Sequence, residues 1–129
     1  MKRTMAFVLI ALTIFTVSGC SKIRIPQEEL AVLTYREQIV GSPDAIIESL
    51  TVEESAKVRE ILMEAKHNPG IGGCPYTEEI SIAFGEQLFL IAWDGCNTVC
   101  DAQNEKYYVV NKEDWAYIVS LFESYGGRL

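Results

Sequence analysis

The residues best able to do chemistry in this chain are its four cysteines and its single histidine. A cysteine thiol can form a disulfide, bind a metal or act as a nucleophile, and a histidine can serve as a general base beside it. These residues are Cys20, Cys74, Cys96, Cys100 and His67. Their spacing decides which of these chemistries the sequence supports.

The spacing does not match the common catalytic motifs. Neither G-x-S-x-G nor H-E-x-x-H accompanies His67, which we place at the frayed end of a helix. The cysteines form no C-x-x-C pair, which argues against a zinc knuckle and a thioredoxin-like centre, and Gly70-Ile71-Gly72-Gly73 leads to a strand, not to a phosphate-binding helix. We therefore expect no catalytic residue, metal or cofactor. The alternative is a hydrolase or thiol-redox accessory that uses His67 or a free cysteine.

The first cysteine follows a segment typical of export. Lys2 and Arg3 precede an apolar run, Met5–Val17, that is shorter than the roughly 20 residues of a membrane-spanning helix. The tetrad Val17-Ser18-Gly19-Cys20 resembles the lipobox of bacterial lipoprotein precursors. That resemblance implies cleavage before Cys20 and a diacylglycerol on its thiol. An ordinary secretory signal, in which the cysteine has no such role, is the alternative.

A diacyl anchor would hold the mature chain on the outer side of a bilayer, because two acyl chains retain a protein where one does so only marginally. In a Gram-negative cell, Ser21 resembles the pattern sorted to the outer membrane; in a Gram-positive cell the site is the cell membrane. We predict a signal peptide over 1–19, a lipidated tether over 20–29 that contains Pro26, and one globular domain over 30–129.

The chain is acidic, with 18 Asp and Glu residues against 11 Lys and Arg. Because Lys2 and Arg3 precede Cys20 and every acidic residue follows it, cleavage would change the formal charge from −7 to −9. Nucleic acids and anionic headgroups are bound by clusters of basic residues, so this charge argues against both as partners. We interpret the acidity as solvation of an exported surface, with a cationic ligand as the alternative.

Two segments have clear helix signals. Thr51 and Glu54 form a capping box at the start of a predicted helix, Val52–Lys66, in which apolar residues recur at helical spacing. A second amphipathic helix is predicted to begin after Asn111 and to end at Gly126.

The remaining apolar segments read as strands. After the first of them comes a turn signal, Gly41-Ser42-Pro43-Asp44, and Ala45–Ser49 fits either a short return strand or one helical turn. Two helices are too few to cover the crossovers of a parallel sheet. We therefore predict a single α+β domain, a small antiparallel sheet of about four strands with both helices on one face. The predicted strands are Leu30–Val40, Glu78–Phe84, Gln87–Trp93 and Lys106–Val110.

A two-residue turn at Gly85-Glu86 fixes the register of the central hairpin. Continuing that register places Cys74 opposite Asn97, one residue from Cys96. We predict a Cys74–Cys96 disulfide, which would close a loop of about 22 residues and contribute roughly 3 kcal/mol. Cys100 is the alternative partner for either cysteine, and a zinc site made from the three cysteines and His67 is a further alternative.

The hairpin also presents two apolar faces, because successive side chains of a strand point to opposite sides. The bulkier face, which we expect to meet the helices, consists of Ile80, Ile82, Phe89, Ile91 and Trp93. The second consists of Ser81, Ala83, Leu88, Leu90 and Ala92. We predict a docking surface at Leu88 and Leu90 with one of Tyr107 or Tyr108 beside them. If the helices pack on opposite faces, both sets are buried instead.

The mature chain also resembles small bacterial lipoproteins in which a hairpin, a turn such as Asp94-Gly95-Cys96, a strand such as that at Tyr107-Tyr108 and a closing helix follow one another. The resemblance implies no activity, cofactor or binding residue. We interpret the domain as a non-catalytic binding or envelope-assembly module. Its expected partners are the bilayer, through the acyl anchor, and an envelope protein or ligand.

Overall fold

A computed structural model describes residues 22–37, 44–70 and 74–129 of the chain. The predicted signal peptide, the predicted lipidation site Cys20 and the turn residues Gly41-Ser42-Pro43 lie outside the described residues. Within them the elements are β1 (Ala31–Tyr35), β2 (Ile46–Ser49), α1 (Val52–Glu64), β3 (Lys66–His67), β4 (Ser81–Phe84), β5 (Gln87–Ile91), β6 (Thr98–Asp101), β7 (Lys106–Val109) and α2 (Lys112–Ser124).

The described strands form one antiparallel sheet in the order β2-β1-β4-β5-β6-β7-β3. The prediction of an α+β domain is therefore confirmed. The predicted number of strands, about four, is wrong, because the described sheet has seven. The segment left open at Ala45–Ser49 contains a strand, and β3 and β6 were not predicted. Their two and four residues are too short for an alternating apolar pattern to stand out.

Helix α1 begins as its capping box predicts. The backbone N–H of Glu54 donates to Thr51 Oγ1 at 3.1 Å, and that of Thr51 donates to Glu54 Oε1 at 3.0 Å. The helix ends at Glu64, two residues before the predicted end, because Ala65 is extended and leads into β3. His67 therefore lies in an edge strand paired with Tyr108 of β7, and its prediction as a helix-end residue is wrong.

Helix α2 also begins and ends as predicted. The Asn111 side chain accepts from Asp114 N–H at 2.9 Å, and Gly126 ends the helix with a φ of +99°. A positive φ strains any residue that carries a Cβ, which explains glycine at this position.

Both helices pack on the same side of the sheet. Ala31 N–H of β1 donates to Ser55 Oγ of α1 at 2.9 Å, and the Tyr35 hydroxyl donates to the carbonyl of Tyr125, beside α2, at 2.6 Å. The Tyr125 hydroxyl in turn donates to Glu54 Oε1 at 2.6 Å, which joins the two helix ends. The alternative of helices on opposite faces is therefore wrong. We call the covered side the helix face.

The helix face carries the core. Its strand residues are fully or almost fully buried beside the apolar side chains of both helices. The predicted bulky face of the hairpin is confirmed as core, with Trp93 only partly buried at its edge. The largest fully buried side chains include Leu33, Ile82, Phe84, Phe89 and Ile91 from the sheet with Ile61, Leu62, Ile118 and Phe122 from the helices.

The predicted tether does not hang free over its described residues. Ile23 and Ile25 are 4% and 5% exposed and belong to the core, and Gln87 Nε2 donates to the Arg24 carbonyl at 2.8 Å. Arg59 of α1 donates to the Pro26 carbonyl at 3.0 Å. The domain boundary at residue 30 is thus placed too late, because alternating Ile23 and Ile25 have apolar surface to bury.

Candidate functional site

The structure brings two of the predicted site cysteines together. Cys74 precedes β4, Cys96 follows β5, and the pairing of these strands places their ends side by side, with Ile82 opposite Phe89 as the hairpin register predicts. The sulfurs of Cys74 and Cys96 and a carboxylate oxygen of Asp94 all lie within 4.8 Å of one another. Both cysteines are free thiols here, whereas a disulfide needs about 2.05 Å between its sulfurs. The disulfide stays a prediction, with its partners already adjacent.

Hydrogen bonding lowers the reactivity of the Cys96 thiol. Contact with Cys74, and then with Asp94, raises the pKa of the Cys96 thiol to about 12. Asp94 accepts from the Cys96 thiol at 3.2 Å and from its N–H at 3.0 Å, which lowers the pKa of Asp94. The thiolate is the nucleophilic form of cysteine, so Cys96 is a poor attacking group at neutral pH. The arrangement suits a structural disulfide better than a redox centre.

Cys74, Asp94 and Cys96 also offer three ligand atoms to a metal ion. Structural zinc sites take four protein ligands. His67 and Cys100, the other members of the zinc set considered from the sequence, are not in this group. His67 is an exposed residue whose ring packs 5.5 Å from that of Tyr108, and no carboxylate among the described residues orients it by a hydrogen bond.

Among the described residues, no helix lies over the opposite side of the sheet, and we call this side the open face. The strand register determines which residues of neighbouring strands lie side by side on the open face. Leu90 lies opposite both Ser81 and Cys100, and Cys100 lies opposite Tyr107. The partly or largely exposed apolar members of this face are Val32, Ile47, Ala83, Leu88, Leu90, Tyr107 and Val109.

One end of the open face is covered by the segment before β4. The Tyr76 hydroxyl lies 2.8 Å from Thr98 Oγ1, and its ring packs 5.7 Å from that of Tyr107. Thr98 and Cys100 are accordingly buried, at 5% and 7% exposure. Burial, and then the charges of nearby carboxylates, raise the pKa of the Cys100 thiol. Cys100 is therefore a packed thiol, and the partners available to each other are Cys74 and Cys96.

The predicted docking residues divide between the two faces. Leu88, Leu90 and Tyr107 lie on the open face and are partly buried. Tyr108 is 2% exposed and belongs to the core, so its nomination is wrong and Tyr107 is the tyrosine beside Leu90. The two tyrosines are consecutive in β7, and a strand must send them to opposite sides.

Sequence reasoning missed the most exposed apolar member of the open face, Ile47. Ile47 is 69% exposed and pairs with Thr34 of β1, so it extends the apolar surface to the edge strand β2. The apolar doublet Ile46-Ile47 in a short segment was its only signal. Without the pairing of β2, that doublet does not show which isoleucine faces the core.

Comparisons of this chain with protein families, with curated proteins and with solved structures give no match. Within the described residues, no helix is both long enough and apolar enough to cross a bilayer. We therefore infer function from the sequence signals and from the geometry of the sheet.

Proposed function

We propose that this protein is a lipid-anchored extracytoplasmic module that docks an envelope protein on the open face of its sheet. One observation carries the docking part: both helices lie on the helix face, which leaves Leu88, Leu90 and Ile47 partly or largely exposed on the other. Exposed apolar side chains grouped on one uncovered face of a sheet mark interaction sites in soluble domains. The anchor part rests on the lipobox resemblance at Cys20.

The chemistry of the described residues supports binding over catalysis. Hydrogen bonding to Cys74 and Asp94 raises the pKa of the Cys96 thiol to about 12, and the Cys100 thiol is buried. His67 lies outside the cluster of Cys74, Asp94 and Cys96, so that cluster contains no histidine to act as a base. The formal charge favours a protein partner over a nucleic acid.

The docking surface is tested with a photo-crosslinking amino acid at position 88 in intact cells. We expect an adduct with one envelope protein, which Leu90→Lys abolishes while unfolding stability changes by about 1 kcal/mol or less, as for an exposed site. Val119→Lys on α2 is the matched control, because it adds the same charge at a partly buried position on the other side of the sheet.

Two results would contradict this proposal. Adduct formation that survives Leu90→Lys would remove the open face as the docking surface. A loss of several kcal/mol in the folded Leu90→Lys variant would show that Leu90 is core, because a buried unpaired charge is strongly destabilising.

The anchor is tested separately with Cys20→Ser. Labelled fatty acid should enter the wild-type protein and not the variant, and only the wild type should sediment with membranes, because the acyl chains supply the membrane affinity. Equal labelling of both proteins would remove the lipoprotein assignment and leave the docking surface untouched.

A further inference from the structure

An apolar groove runs between α1 and the segment 22–30, at the start of the described chain. Its volume is about 750 Å³, within the range of roughly 300–1,000 Å³ that is usual for small-molecule sites. The groove, which we call the α1 groove, is distinct from the open face, because α1 lies on the other side of the sheet. Its lining residues include Leu30, Val52, Ala56 and Met63.

The apolar lining is unusually exposed. Leu30, Val52 and Met63 are 48%, 65% and 39% exposed, and the other large apolar side chain exposed to this degree in the described part of the chain is Ile47 of the open face. Their side chains meet at one groove instead of being scattered over the surface. Concentrated apolar exposure of this kind indicates a ligand of similar polarity.

The walls of the groove are held in place by buried contacts. Ile23 and Ile25 fix the segment to the core, and Arg59 donates to the carbonyls of Pro26 and Glu29. The Arg59 guanidinium itself lies 5.4 Å from the centre of the Phe84 ring. The groove is thus formed before any ligand binds, which lowers the entropic cost of binding.

The groove is lined by charges of both signs. Lys22 and Arg24 belong to the segment 22–30, and Glu60 and Glu64 belong to α1. The fifth charged lining residue, Arg59, is buried and already donates to two backbone carbonyls. A strongly charged ligand would be attracted to charges of one sign and repelled by those of the other. An uncharged hydrocarbon chain avoids this conflict and contacts only the apolar lining.

The chain itself brings such a hydrocarbon to the groove. Only Ser21 separates Cys20 from Lys22, which lines the groove, and two extended residues span at most about 7 Å, so covalent geometry alone keeps a lipid on Cys20 within reach of the groove. We propose that the α1 groove binds one acyl chain of the lipidated Cys20. This inference rests on the proposed lipid anchor. The inference adds that one of the two acyl chains can move from the bilayer into the groove. The other acyl chain alone would then hold the protein on the membrane, and attachment by a single acyl chain is reversible.

The test uses the full lipoprotein from cells fed a fatty acid with a diazirine near its end. After purification in detergent and irradiation, we expect intramolecular crosslinks between the Cys20 acyl chain and the peptides that contain Leu30, Val52 or Met63. Ala56→Trp should remove most of these crosslinks, because Ala56 is an exposed groove residue and the indole would fill the space.

Ala116→Trp is the matched control, since it makes the same change at an exposed position of α2 outside the groove, and it should leave the crosslinks unchanged. If Ala56→Trp lowers the melting temperature, Met63→Lys provides a second, charged obstruction at the groove. Acylated protein that crosslinks only to detergent, or equally in all variants, overturns the groove. Absence of label from Cys20 overturns the anchor as well, so the two failures are distinguishable.

Discussion

The two faces of this sheet share their strands but differ in what covers them. On the helix face, Phe89 and Ile91 are completely buried under two 13-residue helices. On the open face, Leu88 and Leu90 alternate with them along the same strand and remain partly exposed. Strand alternation creates two apolar faces, but two helices cover only one of them. The bulkier face, with its phenylalanines and isoleucines, is the one buried.

The segments that cover the two faces also differ in how firmly they are attached to the sheet. The helices are joined to the sheet and to each other by core packing and by the hydrogen bonds of Tyr35 and Tyr125. Among the described residues, the open face is covered only at one end, by the segment that contains Tyr76. Cys74 lies two residues before Tyr76, so a Cys74–Cys96 disulfide would fasten this cover to the end of β5.

The largest expected difference in stability is between two alanine variants at adjacent positions of β5, Phe89 on the helix face and Leu88 on the open face. Phe89→Ala should lower the free energy of unfolding by about 3–5 kcal/mol, because it leaves a cavity in the core. Leu88→Ala should cost about 1 kcal/mol, because its side chain is partly solvated in the folded protein. Urea unfolding of the two variants measures both values. Equal losses would show that the open face is as well packed as the helix face.

The second prediction concerns the cover of the open face. Oxidised wild type should exceed Cys74→Ser and Cys96→Ser in unfolding free energy by about 3 kcal/mol, because the disulfide restricts a loop of about 22 residues in the unfolded chain. Reduction should remove the difference. Cys100→Ser is the control and should keep the crosslink. Peptide mapping without reductant identifies the bond, and a Cys96–Cys100 bridge or three free thiols would refute the prediction.

The smallest expected effect is a pH dependence confined to the helix face. The hydrogen bond from Tyr125, followed by those from Thr51, lowers the pKa of Glu54 below its ordinary 4.5. A lowered folded-state pKa stabilises the protein above the unfolded-state value, and that stabilisation is lost as the pH falls through the folded-state value. Tyr125→Phe should therefore be less stable than wild type at pH 7. The difference in unfolding free energy between the two proteins should become smaller below pH 4.5.

Urea unfolding at several pH values measures this difference, and Tyr117→Phe serves as the control on the same helix. The Tyr117 hydroxyl makes no hydrogen bond to Glu54 in the described structure, so its removal should leave the acid dependence unchanged. A difference of constant size between pH 7 and pH 3 would mean that the Tyr125–Glu54 contact does not stabilise the fold.

The hairpin shows how far local patterns carry the prediction of the site. Its register, set by the turn at Gly85-Glu86, correctly placed Ile82 opposite Phe89 and brought Cys74 close to Cys96. The sequence could not show that Asp94 joins them, because an aspartate in a turn has many solvated positions. It also could not choose between Tyr107 and Tyr108, because the side of β7 that faces the helices depends on packing.

The sequence by itself determined the features that depend on neighbours along the chain. The capping box at Thr51, the cap at Asn111, the stop at Gly126 and the hairpin turn are all local, because each joins residues a few positions apart. Only the tertiary structure decided that Lys66-His67 pairs with β7 and that Ile23 packs in the core. Those short segments have little intrinsic preference, so distant partners that bury their apolar groups and satisfy their backbone hydrogen bonds determine their conformation.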